Sequence, residues 1–107
     1  MTDIEAEVLS LIRKGRENAI RSKVIADYVR IPERQVRLAI RELIKTYPIA
    51  STTEAPAGYF IAITQEEVKQ YALSLKNRLI EDALRRRDFL RSAQTKVEPR
   101  QLELIGK

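Results

Sequence analysis

The sequence predicts a mainly α-helical fold with one small β-hairpin and a long C-terminal helix. Three observations carry this. Apolar residues recur at three- and four-residue steps over most of the chain. That period breaks once, between residues 49 and 63, where two short runs of β-branched and aromatic residues flank a turn-type loop. It then resumes as a single helical pattern from residue 64 to about 94. A chain of 107 residues fits one domain, and a core this small needs the apolar face of every helix.

The elements follow in order. In residues 3–14, Ile4, Val8, Leu11 and Ile12 share a helical face, acids occupy the first turn, and Gly15 is a natural stop. Residues 16–21 form a connector whose large apolar residue, Ile20, pins it to the core as a loop or short strand. A second helix covers residues 23–30, with Ser22 expected as its N-cap and Ile25, Ala26 and Val29 on one face. A third begins at Pro32, whose missing N–H suits a first helical position, and its stripe is Val36, Ala39, Ile40, Leu43 and Ile44. The stripe fades at Tyr47-Pro48. Strands are expected over 49–52 and 59–63, joined by the loop 53–58. Thr64-x-x-Glu67 is a capping box that opens the long helix.

Composition removes whole classes of chemistry. There is no Cys and no His, hence no disulfide, no thiolate metal site, and neither the commonest general base nor the commonest zinc ligand. Neither a Gly-rich phosphate loop nor paired carboxylates at a strand end is present, so no catalytic residue, metal or cofactor is expected and the protein is not read as an enzyme. No apolar run approaches the ~20 residues of a membrane span, and the start Thr2-Asp3-Ile4-Glu5 lacks an apolar signal core. The expectation is a cytoplasmic protein with no membrane association. The net charge is +5, from 20 Lys/Arg and 15 Asp/Glu. Residues 13–45 hold ten of the cations against four acids, Glu17, Asp27, Glu33 and Glu42. That stretch alone carries +6, which leaves the remainder near neutral.

The run Ile20-x-Ser22-x-x-Ile25-Ala26-x-x-Val29-x-Ile31, followed by Val36, Ile40 and Leu43, resembles the helix-turn-helix of the winged-helix DNA-binding family, of the small phage or prokaryotic type. The hairpin falls where that family has its wing. The resemblance covers roughly the first 65 residues. It departs at the turn, where Arg30 and Pro32 stand in place of the family's usual Gly and capping Ser or Thr. It implies a winged helix-turn-helix that binds double-stranded DNA with its third helix, and phosphate contacts from Arg21, Ser22 and Lys23.

The residues themselves fit such a role. With the apolar stripe of the third helix turned inward, Arg34, Leu38, Arg41 and Lys45 lie opposite, flanked by Gln35 and Arg37. A helix fits the major groove, where Arg pairs bidentately with guanine and Gln with adenine. Arg34, Gln35, Arg37, Arg41 and Lys45 are therefore the candidate base or groove contacts. Glu54 at the hairpin tip repels phosphate, which argues against insertion of that tip into the minor groove.

Three regions are expected: 1–65 as the winged-helix domain, 66–94 as a long helix, and 95–107 as a flexible tail. About 30 helical residues span ~45 Å, beyond a small domain. The early part (Val68, Ala72, Leu75) is expected to pack on the first domain. The later part (Leu79, Ala83, Phe89, Leu90) is expected to dimerise, since two-fold dimers dominate homo-oligomers. Arg85, Arg86, Arg87 and Arg91 either touch phosphate or solvate the face beside Glu81, Asp82 and Asp88. In the tail, Gln101, Leu102, Leu104 and Ile105 are similar to the short peptide with which bacterial proteins dock on the replication sliding clamp. The pattern departs at Glu103 and at Ile105, where an aromatic is usual. The function expected is DNA binding by a homodimeric transcriptional regulator that reads the major groove with helix 33–46. Two alternatives stand beside it: a replication accessory of phage or mobile-element type tethered to the sliding clamp, and a winged helix that mediates protein–protein interaction only.

Overall fold

The computed structural model describes residues 1–96. The element order is α1 (Asp3–Leu11), a single 3-10 turn (Arg16–Asn18), α2 (Ser22–Val29), α3 (Glu33–Leu43), β1 (Ile49–Thr52), β2 (Gly58–Ile61) and α4 (Gln65–Lys96). The chain is thus mainly helical with one antiparallel hairpin and a long C-terminal helix, as its periodicity predicts. It divides into two compact units, Met1–Tyr71 and a second from Ala72 onward.

In the first unit, α1 opens on a reciprocal capping box: the Glu5 N–H donates to Thr2 Oγ1 (3.1 Å) and the Thr2 N–H to Glu5 Oε1 (3.2 Å). It closes at Leu11, earlier than the apolar spacing indicates, because the next residues pair with β2 instead. The Ile61 N–H donates to the Arg13 carbonyl (2.8 Å) and the Gly15 N–H to the Ile61 carbonyl (2.9 Å). Ile20 exchanges two more backbone bonds with Tyr59, at 2.9 and 2.7 Å. On its other edge β2 pairs with β1, with Ala50 opposite Phe60 and Thr52 opposite Gly58. The connector therefore acts as a broken third strand, and β2 is satisfied on both edges. Gly58 makes this approach possible: its φ is +135°, and a Cβ there would sit 2.2 Å from the Ile20 backbone.

Ser22 is not the cap of α2. Arg21 holds that position, without a side-chain cap, and Ser22 is the first helical residue. Its hydroxyl instead donates to Glu33 Oε1 at 2.8 Å, tying the start of α2 to the start of α3. Between the helices Arg30 adopts the left-handed conformation (φ 61°, ψ 46°), and the N–H groups of Arg30 and Ile31 both donate to the Ala26 carbonyl. Pro32 caps α3 one position before its first helical residue. Regular helix ends at Leu43, and residues 44–46 continue as hydrogen-bonded turn.

Helices α1, α2 and α3 all pack on one another. Val8, Ile12, Ile25, Ala26, Val36, Ala39, Ile40, Leu43 and Ile49 form one buried cluster, with Ile20 and Tyr59 half-buried against it. Val8, Ile25 and Val36 are fully enclosed, each worth about 1.5–3 kcal/mol of burial.

The capping box of α4 forms as expected, with the Glu67 N–H donating to Thr64 Oγ1 at 3.1 Å. The Glu67 carboxylate also accepts the Ile63 N–H (2.9 Å) and, from across the unit, the Arg16 N–H (3.0 Å). Hydrogen bonds to the Glu67 carboxylate thus tie the start of α4 to the first unit. Val68, expected to pack, is 46% exposed, and Ala72 and Leu75 are exposed as well. In the second unit the helix exposes Leu73, Leu75, Leu79, Ile80, Leu84 and Phe89, whereas Ala93 is buried and Leu90 half-buried. The tail positions Gln101, Leu102, Leu104 and Ile105 lie outside the described residues. No helix among the described residues is long and apolar enough to cross a membrane.

Candidate nucleic-acid interface

Helix α3 is sharply two-sided. Val36, Ala39, Ile40 and Leu43 are buried, and Arg34, Arg37, Leu38, Arg41 and Lys45 are exposed on the other side. The division follows from 100° per residue: the buried positions fall within one arc, and 34, 38, 41 and 45 fall opposite it. Gln35 lies on the flank, also exposed.

The candidate cations are not equivalent. Among the described residues the side chains of Arg34 and Arg41 have no protein partner, and neither do Arg21 and Lys23 at the start of α2. Arg37 donates to Glu33 Oε1 at 3.0 Å. Lys45 pairs with Glu42 at 3.1 Å. Both pairs are exposed and local, between residues three or four apart, worth no more than about 0.5 kcal/mol each. Exchanging Glu33 or Glu42 for a phosphate would therefore cost little. Glu33 is the residue that sequence reasoning misses. It accepts both Ser22 and Arg37, so it joins α2 to α3 and takes the Ser22 hydroxyl away from solvent. Its i,i+4 spacing to Arg37 is visible in the sequence; its contact with Ser22 depends on the turn.

Arg21, Ser22, Lys23 and Glu33 border a shallow depression that Thr52 and Tyr59 of the hairpin close on the far side. Two cations with no protein partner among the described residues, Arg21 and Lys23, thus stand at the start of α2, beside α3 and the hairpin. The hairpin tip carries Glu54, 84% exposed, but its charge is offset: Arg16 donates to Glu54 Oε2 at 2.9 Å and to Thr52 Oγ1 at 3.3 Å. Arg16 is thereby withdrawn from the free cations. The tip loop itself, residues 53–57, holds no Lys or Arg.

The Glu67 carboxyl is held below the usual carboxylate range, first by the Ile63 N–H and then by the Arg16 N–H. It serves the architecture rather than chemistry, because every hydrogen bond it accepts comes from backbone. Among the described residues no cluster of His, Cys, Asp or Glu is placed to hold a metal ion.

The dimerisation candidates are all on α4: Leu79 is 70% and Phe89 57% exposed, Ala83 is exposed, and Leu90 is half-buried. Of the arginines there, Arg85 pairs with Asp82 (3.7 Å) and Arg87 with Asp88 (3.3 Å). Arg86 and Arg91 have no such partner among the described residues. No family model, curated protein or solved structure matches the chain.

Proposed function

We propose that the first unit is a winged helix-turn-helix that binds double-stranded DNA, with α3 in the major groove, and that the protein acts as a transcriptional regulator. The observation that carries this reading is the outward face of α3, where Arg34 and Arg41 stand unpaired, among the described residues, over a fully apolar inner face. A helix that needed cations only for solubility would gain by pairing them along its own surface, as Arg37 and Lys45 do. Unpaired guanidiniums in a row fit the oxygens and N7 atoms of guanine and the phosphates that flank the groove. Arg21 and Lys23 supply phosphate contacts beside it, and Arg37 joins them by releasing Glu33.

The double variant Arg34→Ala/Arg41→Ala tests this directly. Each good base contact contributes about 1–3 kcal/mol, so the pair should cost at least ~30-fold in affinity for duplex DNA selected from a random pool. The melting temperature should not change, because both side chains are exposed. The dependence of binding on salt should also become less steep if either arginine neutralises a phosphate. Unaltered affinity and salt dependence would reject α3 as the reading element. A wild type that retains no DNA at low salt would favour a unit that binds protein instead.

The partner of α4 is, on this reading, a second copy of the chain. One stripe of α4, Ala72, Leu79, Ala83 and Leu90, is complementary to itself in an antiparallel pair. In an antiparallel pair centred on position 81, Leu79 meets Ala83 and Leu90 meets Ala72. Large residues then fill the spaces over small ones. Leu79→Glu, at the 70% exposed centre of that face, should give monomers in sedimentation at concentrations where wild type is dimeric. A wild type that remains monomeric at high concentration excludes this pairing.

A further inference from the structure

We infer that Leu38 reads the C5-methyl group of a thymine, making the site that α3 recognises dependent on T at one position. The inference rests on α3 being the DNA-reading helix, and it adds a base preference that the cations cannot supply. Leu38 is 50% exposed. Among the outward positions 34, 37, 38, 41 and 45 it is the one apolar side chain. It has no place in the buried cluster, which takes Val36, Ala39 and Ile40 from the same turns.

Position makes the residue more than a stray surface leucine. Arg34, Leu38 and Arg41 stand at i, i+4 and i+7, one row along the helix. At 1.5 Å per residue the two arginines lie ~10 Å apart along the axis, with Leu38 between them. Base pairs rise about 3.4 Å each, so such a row spans about three of them. If the arginines take guanines or phosphates at its ends, Leu38 faces the base edge between. In the major groove one base presents an apolar group there, the thymine methyl. Leucine offers no hydrogen-bonding atom. Facing cytosine it would leave the N4 amino group unpaired and would lack the methyl contact. Gln35, one turn before Leu38 on the flank, is placed to take an adjacent adenine through its amide.

The apolar surface around Leu38 continues toward Ile4 of α1, where the two residues border a shallow groove with Thr2, Glu5 and Glu42. That groove has acids on its rim, and Leu38 stands at its junction with the basic face.

The test replaces thymine by deoxyuridine, which removes the methyl and preserves every hydrogen-bonding group. Duplexes selected from a random pool by the wild type are resynthesised with uracil at each thymine in turn. Wild type and Leu38→Ala are then titrated against each, with melting curves to establish that the variant is folded. Loss of one buried methyl should weaken wild-type binding about fourfold at one thymine. That thymine should lie within about two base pairs of a guanine. Leu38→Ala should bind the thymine and uracil duplexes equally, and Leu38→Asn should do the same while remaining folded. A wild type that binds selected DNA but ignores every uracil substitution overturns the role of Leu38 and leaves the DNA reading intact. Methyl discrimination that survives in Leu38→Ala overturns it equally. Failure to retain any duplex removes both the reading and this inference.

Discussion

Gly58→Ala should strongly destabilise the first unit, and the size of the effect follows from the backbone. A Cβ at Gly58 would lie 2.2 Å from both the carbonyl carbon and oxygen of Ile20, and 2.6 Å from the Arg21 nitrogen. These are main-chain atoms and cannot rotate away. Ordinary contact begins at 3.4 Å, so the two backbones must separate by about 1.2 Å. The Ile20–Tyr59 bonds, at 2.9 and 2.7 Å in the wild type, would then both exceed hydrogen-bonding range. Losing two bonds costs about 2 kcal/mol, and alanine at φ +135° adds about 1–3 kcal/mol of strain. The total, roughly 3–5 kcal/mol, compares with about 4–10 kcal/mol expected for a 71-residue unit. A fall in melting temperature of about 15–30 °C follows for a domain of this size. Circular dichroism melts read it, and amide exchange at Ile20 and Tyr59 reports whether the bridge itself has opened. Gly15→Ala is the control. Its Cβ meets only the Glu17 side chain, which can swing aside, so the penalty is limited to its φ of +90°. If Gly58→Ala melts within about 3 °C of wild type, or no lower than Gly15→Ala, the account of the hairpin's anchorage is wrong.

Two further perturbations probe the turn and the start of α4. Arg30→Gly should raise the melting temperature by a few degrees, because the left-handed conformation at φ 61° costs a side-chain-bearing residue about 1 kcal/mol; Arg30→Val should lower it, and equal shifts for both would contradict the strain argument. The Glu67 carboxyl has its folded-state pKa lowered by the Ile63 and Arg16 N–H groups. Its stabilising contribution is therefore complete above the unfolded pKa of about 4.3 and lost as pH falls through the lower folded value. The difference in melting temperature between wild type and Glu67→Gln should be largest near neutrality and shrink below about pH 4, whereas a constant difference across that range would exclude Glu67 as the acid-sensitive anchor.

Much of the molecule was determined by local sequence. The 3.6-residue periodicity of Val36, Ala39, Ile40 and Leu43 defines α3 and its buried side, and the same arithmetic places Arg34, Leu38, Arg41 and Lys45 outside. The capping boxes Thr2–Glu5 and Thr64–Glu67 are read within four residues. The change of period at 49–61 marks the hairpin. Such features are legible because their partners are neighbours in the chain.

What the sequence left open depends on residues far apart. The early close of α1 follows from Ile61, which recruits Arg13 and Gly15 into a bridge. Ser22 has the composition of a cap, yet its hydroxyl turns to Glu33, a residue brought near only by the turn at Arg30. The same fold decides which cations are free: Arg16 is drawn to Glu54 across 38 residues, while Arg34 and Arg41 meet no acid among the described residues. The capping box at the start of α4 is legible in Thr64 and Glu67, but not that the same carboxylate also accepts the Arg16 N–H, 51 residues away. Periodicity reports which side of a helix is apolar; only the packed chain decides whether anything covers that side, and which charges remain for a ligand.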